Sequence, residues 1–290
     1  ALEENRRKIE HRIRPVLGGQ RLDKLSADTL DAAYRRWLDE GLSAATVHKY
    51  HCILSAALRQ AVKWGWIGQA PTERATPPQP VRKDMAVPTP ALLTALVRAA
   101  EQEDPVLGTA VALAALTGAR RGELVALRWS DVDLVGGRVR IARSLTVARG
   151  EQHVGDTKTH ASRVLALDPV AGGVLQRRWA YMVDLSERAE SPLVDDPYVL
   201  SYNANGARPV NPDTLTHGFE RVCSALNVHY RFHDLRHFSV STLIAAGVDI
   251  RTVAERHGHA RATMTLDRYA HALPERDRDA ANLLGAVLDL

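Results

Sequence analysis

Long apolar runs are missing from this chain: no stretch of about 18 hydrophobic residues could span a bilayer, and the opening ALEENRRKIEH lacks the apolar core of a secretory signal. Cysteine is nearly absent too. Cys52 and Cys223 stand 171 positions apart, which excludes a disulfide framework and predicts a soluble chain in a reducing, cytoplasmic setting. Both thiols are expected to be buried as small apolar side chains. Internal repeats and low-complexity tracts are also lacking. What remains is ordinary globular composition, 45% hydrophobic and 25% charged, over 290 residues, enough for two domains with separate cores.

The net charge of +4 is unevenly spread. Residues 1–90 hold 15 Lys/Arg against 10 Asp/Glu, whereas residues 91–290 hold 23 against 24. A basic N-terminal part suits a surface that meets phosphates, although solvated helices carry similar charge.

Three amphipathic stretches fill that part, EENRRKIEHRIRPVL, SADTLDAAYRRWLDEG and SAATVHKYHCILSAALRQAVKWGW, and each predicts a helix. Ser26 and Ser43 stand at N-cap positions, and Gly41 stops the second helix. In the third, Val47, Ile53, Leu54, Leu58, Ala61 and Val62 recur at helical spacing. The segment 68–90 then places six of the chain's 14 prolines in 23 residues, the mark of an inter-domain linker. The expected division is a helical domain over 1–82 and a larger domain over 83–290.

The larger part opens with Thr89 as N-cap and Pro90 as first helical residue, followed by an apolar helix from about Val106 to Leu116. GGRVRIARS and SRVLAL alternate apolar and polar residues around ARGEQHVGDTKTHA, predicting a small antiparallel sheet with a polar hairpin turn over 148–161. Further helices are expected over 170–187, 212–226, 234–246, 249–257, 262–270 and 274–288. The fold class is therefore mainly α with a small antiparallel β-sheet.

Four polar motifs stand apart in this region. TGARRGELVALRW sets Arg120 three residues before Glu123, a spacing that also describes a surface ion pair. Lys158 lies near the hairpin tip, where an exposed lysine is ordinary. HDLRH puts His233, Arg236 and His237 on one helical face, and HGHARATMTLDRYAH adds His257, His259 and Tyr269. The histidine spacing invites a metal, but Arg236 completes the same face and its permanent charge repels a divalent cation. No metal and no cofactor are expected. Two arginines, a lysine, histidines and a tyrosine suit a phosphodiester instead. Guanidinium groups grip non-bridging oxygens and stabilise the charge of a pentavalent transition state. A tyrosine hydroxyl with a reference pKa of about 10 needs a base or a positive field to attack, and a leaving oxygen needs an acid.

TGARRGELVALRWSDVDL, TKTHASRVLAL and HDLRHFSVSTLIAAGVDIRTVAERHGHARATMTLDRYAH resemble, in order and spacing, the signature segments of tyrosine recombinases of the phage integrase type. The helical N-terminal part resembles that family's SAM-like core-binding domain. The resemblance implies a C-shaped clamp on double-stranded DNA and a reaction needing neither metal nor ATP. It implies that Tyr269 forms a 3′-phosphotyrosyl link while Arg120 and Arg236 hold the scissile phosphate. His233 would act as base, Lys158 as general acid and His259 as a further donor to the phosphate. Glu123 and His237 would support the site. His48, Lys49 and Arg59 on the third helix would contact DNA, or are simply solvated.

Strand exchange implies a homotetramer on two duplexes, with accessory DNA-bending or directionality proteins as further expected partners and no membrane. The stripe Leu283, Leu284, Val287 and Leu288 on the last helix would dock on a neighbouring protomer or pack on its own domain. One departure is His257, at a position usually apolar before the GH motif, which is expected only to close a helix end. Many members carry a further N-terminal domain for arm-type sites; the sequence opens in the core-binding helices at Ala1, so that module is expected to be either removed or naturally absent. Integration or excision of a mobile element is the expected activity. Chromosome-dimer resolution by the same chemistry, topoisomerase-like relaxation and non-catalytic DNA binding are the alternatives.

Overall fold

The computed structural model describes residues 2–80, 87–148, 150–157 and 162–258. It divides into two compact units, Ala1–Asp84 and Met85–Leu290. Among the described residues no helix is long and apolar enough to cross a membrane.

The first unit is helical. It opens with α1 (Leu2–Lys8), runs through a π-helical turn at Ile9–Ile13 and continues as α2 (Arg14–Leu17). The π turn has a local cause: Pro15 has no N–H to return to the carbonyl of His11, and its ring crowds that carbonyl, so the ladder loosens just ahead of it. The next helix, α3 (Ala27–Asp39), starts where Ser26 accepts the Thr29 N–H, and α4 (Ala44–Lys63) where Ser43 accepts the Thr46 N–H. The α3 chain turns off through Gly41 at φ +86°, a backbone region that glycine enters without strain. α4 ends at Lys63, three residues short of the expected end. Trp37 and Leu30 are fully buried, packed with Tyr34, Val47, Tyr50, Leu58 and the first helix's Ile13 and Leu17.

The second unit is built around α6 (Pro105–Thr117), buried on nearly every side, as an all-round apolar sequence demands. It is preceded by α5 (Pro90–Glu103), capped by Thr89, and followed by the short α7 (Arg121–Val125). Strands β1 (Val132–Asp133), β2 (Arg138–Ile141) and β5 (Arg163–Ala166) form an antiparallel sheet in which Val139 pairs with Leu165, both buried. The predicted pairing of the two alternating segments thus holds, but the predicted turn over 148–161 does not. It contains β4 (Glu151–Asp156), which pairs antiparallel with β3 (Arg143–Ala148) as a separate two-stranded sheet. Every residue of β4 is exposed, so backbone pairing with β3 rather than apolar alternation makes the strand.

The remaining helices are α8 (Pro169–Arg188), α9 (Pro212–Ala225), α10 (Asp234–Ala245) and α11 (Ile250–His257). Asn211 caps α9, Gly247 follows α10 at φ +89°, and Asp249 caps α11. α8, α9 and α10 all pack on α6. The helices expected over 262–270 and 274–288 lie outside the described residues. One expectation about the thiols fails: Cys223 is buried, but Cys52 is exposed, because α4 turns position 52 away from its core face.

Candidate functional site

The site grows from the C-terminal end of α11. Helix ends leave their last carbonyls without intrahelical partners and carry partial negative charge, so they attract cations. Here three consecutive carbonyls are met by three arginines from three different elements. Arg163 Nε, at the start of β5, donates to the Arg256 carbonyl at 2.9 Å. Arg236 Nη2, in the first turn of α10, donates to the His257 carbonyl at 2.6 Å. Arg120 Nη2, at the N-cap of α7, donates to the Gly258 carbonyl at 2.8 Å.

Arg236 is 4% exposed, and its Nη1 donates to the Gly118 carbonyl, where α6 ends. Gly118 has a left-handed φ of +62°, and a Cβ there would fall 2.2 Å from His257 Nε2, so only glycine lets the α6 terminus approach α11 this closely. His257 is wholly buried, its Nδ1 2.8 Å from the Val253 carbonyl and its Nε2 3.1 Å from Ser239 Oγ. The histidine at the unusual position therefore does more than end a helix: it ties α11 to α10.

Glu123 organises the other side. Its side chain is 1% exposed, so the Arg120–Glu123 pair is not a surface ion pair. One carboxylate oxygen accepts the Arg120 backbone N–H at 2.9 Å and Arg163 Nη2 at 2.6 Å; the other accepts Arg120 Nη1 at 2.8 Å and Arg163 Nη1 at 3.1 Å. Burial pushes this carboxyl up, but the hydrogen bonds and charge of Arg163, then those of Arg120, outweigh it and hold Glu123 below the usual carboxylate value.

His233 takes the N-cap position of α10 and is exposed, while His237 one turn on is buried. Their rings meet edge to face with centroids 4.8 Å apart. The expected shared face of His233, Arg236 and His237 is thus divided by depth. Arg236 and His237 lie inside and His233 at the rim. Among the described residues no group of three or more His, Cys, Asp or Glu could hold a metal ion. Lys158, His259 and Tyr269 lie outside the described residues; in sequence Lys158 follows β4 by two residues and precedes β5, and His259 directly follows Gly258.

Sequence reasoning missed Arg163. Its signal was a charge in the inward phase of β5, in register with buried Leu165, while Val164 between them is 61% exposed. On α4, Lys49 and Arg59 are exposed and His48 is half-buried. The His48 ring lies 5.9 Å from that of His51, whose pKa is lowered by burial and then by the charges of His48 and Arg59. His48 and Arg59, eleven positions apart, fall nearly on one line along the helix, with Lys49 about a quarter-turn away.

Known proteins place this architecture. The chain is 26% identical over 253 residues to the ICEBs1 integrase of Bacillus subtilis, covering 87% of this chain and 68% of that protein. It is 29% identical over 269 residues to an integrase of Streptomyces ambofaciens, with 88% and 67% covered. Among solved structures, the Tn1549 transposon integrase in complex with transposon right end DNA superposes with a TM-score of 0.81 at 20% identity, over 98% of this chain and 93% of that one. The lambda integrase tetramer bound to a Holliday junction gives 0.68 at 20% identity, over 91% and 70%. These likenesses carry the fold: a SAM-like helical domain followed by a mainly helical catalytic domain with small antiparallel sheets. The model of the phage integrase SAM-like domain matches residues 18–76, the model of the phage integrase family matches residues 89–276, and the chain therefore belongs to that family of tyrosine recombinases, enzymes that cleave and rejoin DNA.

Proposed function

We propose that this recombinase integrates or excises a mobile element at a specific DNA site, and that Tyr269 is its nucleophile. The Tyr269 hydroxyl attacks the scissile phosphorus and passes its proton to His233. The bond from phosphorus to the 5′ oxygen breaks, and Lys158 protonates that oxygen. A 3′-phosphotyrosyl link conserves the bond energy, so a 5′ hydroxyl from the partner duplex can reverse the step without ATP. Arg120 and Arg236 stabilise the charge on the non-bridging oxygens and His259 adds a donor. The observation that carries this reading is the convergence of Arg120 and Arg236 on adjacent carbonyls at the end of α11, one residue before His259.

The partner is double-stranded DNA, and the working assembly is a tetramer in which the segment 274–288 docks on a neighbouring protomer. His48, Lys49 and Arg59 meet the backbone of the core site, and accessory bending or directionality proteins bias the direction. The enzyme acts in the cytoplasm on the nucleoid.

Covalent capture tests the reaction. The protein is mixed with fragmented source DNA in EDTA, denatured with SDS, and whatever stays attached is sequenced. Adducts at a discrete site that vanish in Tyr269→Phe are expected. Tight, salt-sensitive binding without any adduct would refute the catalytic reading in favour of a binding module.

A further inference from the structure

Arg163 has no part in the chemistry just described, yet it joins the start of β5 to Glu123 of α7 and to the end of α11. Its guanidinium spends both terminal nitrogens on Glu123, at 3.1 and 2.6 Å, and Nε on the Arg256 carbonyl at 2.9 Å. Glu123 in turn holds Arg120 through a backbone and a side-chain hydrogen bond. Arg256 answers from α11: its guanidinium donates to the Ala166 carbonyl at the other end of β5, at 3.3 Å, and to the Leu116 carbonyl of α6 at 3.2 Å. The strand that Arg163 opens follows Lys158 by five residues in sequence, and the Arg256 carbonyl it holds lies three residues before His259. A Cβ on Gly258 would lie 2.9 Å from Arg163 Nη1, so the side chain is packed against the last turn of α11 as well as bonded to it.

We infer that Arg163 is a positioning residue of the recombination reaction, a buried brace that sets Arg120, the start of β5 and the C-terminal end of α11 in one geometry. This rests on the assignment of Arg120, Lys158, His259 and Tyr269 to the chemistry. Unlike Arg236, whose terminal nitrogens meet neutral carbonyls, Arg163 has both terminal nitrogens paired with the Glu123 carboxylate, which offsets its charge, so it acts through its neighbours rather than on phosphate. A planar fork with three fixed directions makes this possible, and a lysine cannot reproduce it. Misplacing a reacting group by about 1 Å costs about 100-fold in rate, whereas DNA affinity is distributed over many phosphate contacts.

The test measures two quantities on the half-site recovered by covalent capture: the single-turnover rate of phosphotyrosyl formation at saturating DNA, and the dissociation constant for the same duplex. For Arg163→Gln the rate is expected to fall by about 30- to 100-fold with affinity within about threefold. Arg163→Lys, which keeps the charge opposite Glu123, should recover part of the rate, and it carries the test if the glutamine variant does not fold. A rate in Arg163→Lys equal to that of the unaltered chain, or equal losses of rate and affinity in both variants, would overturn the inference. Failure of the unaltered chain to form any adduct would instead overturn the catalytic reading on which the inference stands, so the two failures are distinct.

Discussion

Replacing Glu123 by alanine probes the interior of the site most directly. The carboxylate is 1% exposed and accepts four hydrogen bonds, two from Arg120 and two from Arg163. Without it, Arg163 keeps a charge inside the fold with only the Arg256 carbonyl as counterpart among the bonds described, whereas Arg120, whose side chain is 25% exposed, regains some water. Removing one partner of a buried ion pair costs about 3–5 kcal/mol, and the partial exposure of Arg120 argues for the lower end, about 3. For a unit of this size each kcal/mol lowers the melting temperature by about 2–4 °C, so the transition of the second unit should move down by about 6–12 °C. Glu123→Gln, which keeps the shape and one acceptor but not the charge, should fall between the alanine variant and the unaltered chain. Scanning calorimetry reads both. A shift of under about 2 °C in Glu123→Ala would refute the argument, because it would mean that the two arginines are satisfied without the carboxylate.

Four further outcomes follow from the same geometry. Since the folded state holds the Glu123 pKa below its ordinary 4.5, its contribution is present above that value and lost as pH falls through the folded one; the stability gap between the unaltered chain and Glu123→Gln should therefore shrink below pH 4.5 in acid titrations followed by circular dichroism. Gly258→Ala must place a Cβ at φ +61° and 2.9 Å from Arg163 Nη1, which should cost at least about 1–2 kcal/mol and slow phosphotyrosyl formation, read by calorimetry and single-turnover cleavage. Trp37→Ala empties the centre of the first unit, where Trp37 is 0% exposed, and should cost that unit about 3–5 kcal/mol in denaturant titration. Lys49→Ala and Arg59→Ala should each weaken DNA binding across all sequences and reduce the slope of log affinity against log salt by about 1.

Local signals decided most of the helical framework in advance. Ser26, Ser43, Thr89 and Asn211 each accept the backbone N–H that an N-cap should, and Gly41 and Gly247 take positive φ just past their helices, because capping depends on a few neighbouring residues. The pairing of β2 with β5 was legible in the alternation of Val139 and Ile141 with Leu165. Strand β4 was not, because GluGlnHisValGlyAsp buries no side chain and owes its conformation to the backbone groups of β3. The exposure of Cys52 escaped composition for a related reason: a single small residue on α4 carries no information about which face it occupies until the helix is docked.

The sequence by itself determined the residue types and their order, hence the two helical-rich units, the integrase motifs and the chemistry that arginines, histidines and a tyrosine can perform on a phosphodiester. Motif spacing follows from chain-local rules, so it can be read without coordinates. Only the tertiary structure decided that Arg120, Arg163 and Arg236, from α7, β5 and α10, meet three successive carbonyls at the end of α11, that Glu123 is buried between two of them, and that His257 bridges two helices. The three arginine–carbonyl contacts join residues 21 to 138 positions apart. They exist because a helix end offers unpaired carbonyls and a buried carboxylate requires cations, demands that only the folded chain brings together.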